Sequence, residues 1–175
     1  MDFVGLITTP LNIPVISRVR RNHALEHATI HVLSERHGKQ ALVGRSSIWG
    51  FRIYGNVPTE DIVAAAREGL RRLRAGRREM AVHPNCGSNI ALAGSLSALG
   101  AFLALGSSRN NKGCRLLRLP AAMVAATLGI LLAQPLGPMF QATVTTQPDI
   151  GDMRITHVSR RIRFGIVAHS IHTEV

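Results

Sequence analysis

Two long stretches of this chain contain no Asp, Glu, Lys or Arg, although its formal net charge is +11. They run from Met80 to Ser108 and from Leu119 to Pro148. Charge this abundant elsewhere is kept out of both, so the two segments share an environment hostile to ions. Their apolar cores, Asn89–Gly106 and Leu119–Phe140, are each close to the ~20 residues a helix needs to cross ~30 Å of hydrocarbon. The pattern predicts a transmembrane hairpin. Gly94, Ala98, Gly100 and Ala101 in the first core and Ala122, Ala126, Gly129 and Ala133 in the second repeat small side chains at helical spacing, which lets helices approach closely in lipid. Pro135 and Pro138 are expected to kink or end the second span. The competing reading is a pair of buried core helices in a soluble fold.

Basic residues set the orientation. Arg67, Arg71, Arg72, Arg74, Arg77 and Arg78 precede the first core, and Arg154, Arg160, Arg161 and Arg163 follow the second. The connector, residues 107–118, carries Arg109, Lys112, Arg115 and Arg118. The heavier basic side is cytoplasmic by the positive-inside rule, so both termini are expected there, with the arginines against anionic lipid headgroups. No nucleic-acid motif accompanies this charge, which argues against specific nucleic-acid binding. Met1–Ile16 starts with Asp2 and contains Pro10 and Pro14, which does not fit a cleavable signal; it is expected to lie along the membrane surface. Cys86 and Cys114 fall at opposite ends of the predicted first span and connector, too far apart for a disulfide within one chain.

The remaining sequence reads as α+β. A helix over 14–37 stops at Gly38, residues 41–54 alternate apolar and small residues as two short strands, and a helix over 59–75 is capped by Thr59 and buries Ile62, Val63, Ala66, Leu70 and Leu73. Met153–Val158 and Arg161–Ala168 have the alternation of strands. The expected architecture is a small cytoplasmic helix and strand domain, formed by 1–87 and completed by 142–175, interrupted by the hairpin at 88–141.

One motif on the first helix carries chemistry. His23-Ala24-Leu25-Glu26-His27 puts His23 and His27 one turn apart with Glu26 beside His23. Neutral imidazoles are common zinc ligands, and a neighbouring carboxylate can serve as a general base. The stripe continues to His31 at i+8. The spacing H-x-x-E-H resembles the inverzincin signature of zinc metallopeptidases, and that resemblance implies His23 and His27 as ligands, Glu26 as base, and a downstream Glu as third ligand. Glu60, Glu68 and Glu79 lie downstream but in no recognisable motif. His83 and Cys86, three residues apart in His83-Pro84-Asn85-Cys86-Gly87, are better placed to complete a zinc set. The alternative for that segment is a rigid turn fixed by Pro84.

The order RNHALEHATIHVL, GFRIYGNVPTEDI, AVHPNCGSN and QATVTTQPDIGDM, spread over most of the chain, resembles an uncharacterised family of small bacterial membrane proteins, a domain of unknown function met often in phototrophs. It implies a two-span protein of the bacterial inner membrane and no established activity. Two functions therefore follow as expectations. One is a membrane-anchored zinc hydrolase using His23, His27, Glu26 and His83 or Cys86. The other is a non-catalytic accessory subunit or assembly factor of a membrane-protein complex or homo-oligomer.

Overall fold

The computed structural model describes residues 10–38, 40–106 and 116–174. It is an α+β structure in two compact units, one formed by Met1–His83 with Ala142–Val175 and the other by Pro84–Gln141. Cys114 and most of the connector lie outside the described residues.

The mixed unit is organised by helix α1, Pro14–His37. Pro14 sits in its first turn, where a missing N–H costs nothing, and Gly38 leaves the helix at φ 73°, a conformation that favours glycine. Strands β1 (Val43–Ser47) and β2 (Gly50–Tyr54) form a hairpin, helix α2 covers Thr59–Arg74, and β3 (Arg154–Arg163) and β4 (Ile166–Glu174) complete one antiparallel sheet in the order β1-β2-β4-β3. β4 enters between β2 and β3, so the last stretch of chain becomes a central strand. Its burial alternates, with His169, Ile171 and Thr173 inside, as a pleated strand with one covered face requires.

The core unites both helices with the sheet through Leu25, Leu33, Phe51, Ile53, Ile62, Met153 and Ile171. Each such side chain contributes about 1.5–3 kcal/mol when fully buried. Gly69 permits the helix contact, since a Cβ there would stand 3.1 Å from Ala28. Asn22, fully buried, pins α1 to the sheet: its amide donates to the Ser47 carbonyl at 2.8 Å and its Oδ1 accepts from Thr173 Oγ1 at 2.6 Å.

Two local expectations are corrected. Thr59 is the first helical residue of α2, not its cap; Pro58 holds the cap position without a side-chain hydrogen bond. The third and fourth strands break at Phe164-Gly165, not between Val158 and Arg161, because both residues of this two-residue loop adopt positive φ, 52° and 77°. That backbone is the one whose twist suits a tight hairpin.

The second unit holds helices α3 (Gly87–Leu105) and α4 (Leu119–Phe140), packed side by side and each long and apolar enough to cross a membrane. A Cβ at Gly100 would stand 2.6 Å from the Ala125 carbonyl oxygen, and one at Gly129 would stand 2.6 Å from the Leu96 backbone. Gly94, by contrast, faces open space. Asn89 ties the open ends together, donating to the Pro84 carbonyl at 2.8 Å and accepting from Gln141 Nε2 at 2.6 Å. Pro135 and Pro138 lie inside α4 without ending it, and Gln141–Thr145 continues as a π-helical turn.

Candidate metal centre

Helical spacing brings the His23 and His27 rings together, centroids 4.3 Å apart. The polar groups that hold them come from distant chain. His23 Nδ1 lies 2.9 Å from the Thr145 carbonyl and His27 Nδ1 lies 2.7 Å from the Ala81 carbonyl. A carbonyl can only accept, so in each neutral ring Nδ1 carries the proton and Nε2 keeps the lone pair. This is the arrangement found behind metal-bound histidines, where the second nitrogen donates to a fixed acceptor. His27 is 1% exposed and its Nε2 is buried with no hydrogen-bond partner among the described residues. An orphaned buried acceptor costs about 1–3 kcal/mol, which a bound cation would offset.

Cys86 is the residue preceding α3. Its sulfur accepts the Ser88 N–H at 3.5 Å and lies 3.1 Å from Ser88 Oγ. His23 and His27, both in the mixed unit, set two imidazoles side by side that could share a metal ion, whereas Cys86 belongs to the helical unit. Imidazole nitrogens suit zinc or another borderline cation better than magnesium or calcium, which prefer oxygen.

His83 and Glu26 belong to the same unit as the His23–His27 pair. The His83 ring is 5.8 Å from that of His27 and 5.0 Å from that of His31, centroid to centroid. Burial first, then the neighbouring His31 and His27, push its pKa down to about 4, so at neutral pH the ring is uncharged and able to act as a ligand. Glu26 is 4% exposed and turns toward β1, where Ser46 Oγ donates to its Oε2 at 2.5 Å. Gly44 supplies the room, because a Cβ there would collide with the carboxylate. The downstream glutamates are engaged elsewhere: Glu68 with Arg71 and Arg72, and Glu79 with Arg77.

Several participants escape the sequence motif. Gly44 and Ser46 carry no signal until β1 is seen against α1. His31 was visible as the next member of the stripe, but its neighbour His83 lies 52 positions away. His31 Nε2 is 2.8 Å from the Val82 carbonyl, so successive carbonyls, Ala81 and Val82, fix the orientation of two helix histidines.

The chain belongs to the family of the domain of unknown function DUF6391, which matches residues 18–158. An uncharacterized protein of Picosynechococcus sp. is 34% identical over 137 residues, covering 73% of this chain and 65% of that protein. The chain thus spans less than two thirds of this relative's length. No solved structure matches it.

Proposed function

We propose that this DUF6391 protein is a membrane-anchored zinc hydrolase, with His23 and His27 holding the ion, a third ligand drawn from the His83-Pro84-Asn85-Cys86 segment, and Glu26 acting as general base. The observation that carries the reading is the stacked His23–His27 pair, ring centroids 4.3 Å apart, with a buried His27 nitrogen that has no partner among the described residues. Three protein ligands are the number that leaves a tetrahedral zinc one open position, where it would supply Lewis acidity. Glu26 follows in the adjacent helical position, and the Ser46 hydroxyl orients its carboxylate.

The membrane part of the proposal rests on α3 and α4. No residue of α3 is buried, and Ile90, Phe102 and Met123 are 75%, 70% and 70% exposed. A core helix of a soluble protein would cover such residues; lipid would cover them here. Both termini are placed on the cytoplasmic side of a bacterial inner membrane, as the arginine flanks favour, with anionic headgroups as their counterpart.

Metal analysis of the full chain, purified in detergent without a histidine tag, tests the site. A tightly bound zinc is expected to survive purification and to be lost in His27→Gln at unchanged helical content. Glu26→Gln is expected to keep the ion and abolish hydrolytic turnover. A chain that binds no zinc overturns the reading. One observation favours the second reading, an accessory subunit with a structural metal: Glu26 is buried and occupied by Ser46. Full retention of zinc with no hydrolysis in wild type would select it.

A further inference from the structure

Four histidines of the mixed unit form a row, His23, His27, His83 and His31, whose successive ring centroids are 4.3, 5.8 and 5.0 Å apart. We propose that His31 and His83 form a second divalent-cation position beside the one assigned to the His23–His27 pair. The inference extends the reading above from one ion to two, and rests on it for the identity of the first.

Geometry is the main argument. With Zn–N bonds of ~2.0–2.1 Å, two imidazoles on one tetrahedral ion place their ring centroids roughly 5 Å apart. His31 and His83 stand at 5.0 Å, edge to face. The nitrogen that His31 presents is defined by the chain: its Nε2 donates to the Val82 carbonyl at 2.8 Å, leaving Nδ1 with the lone pair. His27 is fixed through the opposite nitrogen by the preceding carbonyl, Ala81, at 2.7 Å. Two adjacent peptide groups therefore set two rings in opposite tautomers, and His83 is the next residue along that strand of chain. A random cluster of surface histidines would lack such a backing.

The two positions differ in character. His27 is fully buried, whereas His31 and His83 are half-buried, so water can complete the coordination of an ion there. Two imidazoles and water make the weaker site, and its partial exposure makes it the one an incoming ion meets first. The His83 ring centroid lies within 6 Å of those of both His27 and His31, so His83 stands between the two positions while serving the second.

Titration of the full-length chain in lipid nanodiscs with zinc, followed by a competing chelator dye, tests this, again without a histidine tag. Wild type is expected to bind two equivalents of unequal affinity. His31→Gln and His83→Gln should each remove the weaker equivalent and leave the tighter one. His27→Gln should remove the tighter one and leave the weaker. A single equivalent in wild type, or a weaker equivalent indifferent to both His31→Gln and His83→Gln, overturns the second position while leaving the first standing. Loss of both equivalents in His31→Gln at native helical content overturns the separation into two positions. Absence of any bound zinc in wild type removes both readings together.

Discussion

Gly44 and Glu26 are complementary: the missing side chain of one is the space occupied by the carboxylate of the other. Gly44 has an ordinary strand role and pairs with Ile53, so what requires glycine at this position is the close approach of Glu26. Substitution Gly44→Ala is expected to cost about 1–3 kcal/mol, the usual range for overpacking. Glu26→Ala should relieve it, making the double variant less destabilised than the sum of the two single variants. Thermal midpoints of the four proteins measure this. Strict additivity would contradict it.

Inside the helical unit, two glycines at outwardly similar positions have opposite expected tolerance. A Cβ at Gly129 meets the backbone of Leu96 at 2.6 Å, and backbone cannot swing aside as a flexible side chain can; Gly94 has no neighbour within 4 Å. Gly129→Ala should therefore lower stability in detergent by about 1–3 kcal/mol through displacement of α3 from α4. Gly94→Ala should be neutral or slightly stabilising, as alanine is the better helix former. Equal effects would show that the helices do not pack through Gly129.

Which features were legible in the sequence follows from how local their causes are. The limits of α1 are written by Pro14 and Gly38, and the registry of His23 with His27 follows from helical spacing alone. The strand break was misplaced because alternating residues continue on both sides of it, and Phe164 at φ 52° gives no turn signal of its own. The tautomers of His23, His27 and His31 depend on carbonyls of Thr145, Ala81 and Val82, which only tertiary packing delivers. The orientation of Glu26 toward Ser46 has the same origin. A motif can state which residues share a helix face, but the partner of that face belongs to other parts of the chain.

His169 gives the mixed unit an acid sensitivity. It is fully buried on β4, and neither ring nitrogen has a well-aligned hydrogen-bond partner among the described residues. Burial first, and then Arg160, lower its pKa from the ordinary 6.5, an effect only partly offset by the Val57 backbone. The unfolded chain takes up a proton that the folded one resists, so the stability from the neutral ring is complete above about pH 6.5 and is lost as pH falls below it. His169→Leu should flatten the dependence of the thermal midpoint on pH between roughly 7 and 5. A variant with the wild-type slope would assign the acid response to other histidines.

The proposed topology makes a prediction that uses the chain's own thiols. Leu119–Phe140 has 22 residues, or about 33 Å of helix at 1.5 Å per residue, enough for the hydrocarbon layer with slight tilt. If α3 and α4 both cross, the connector at 107–118 and the exposed end of β4 lie on opposite faces. In a Cys86→Ser background, Cys114 should react with a membrane-impermeant maleimide added outside intact spheroplasts. In a Cys86→Ser, Cys114→Ser background, Glu174→Cys should react only in inverted vesicles. Labelling of both from the outer face, or of both from the inner face, would contradict two crossings, whereas an exchange of the two results would keep the hairpin and invert it. The four basic residues of the connector, Arg109, Lys112, Arg115 and Arg118, oppose the predicted orientation. Replacing them with Gln should therefore leave the two labelling patterns unchanged, because the remaining bias from the flanking arginines acts in the predicted direction.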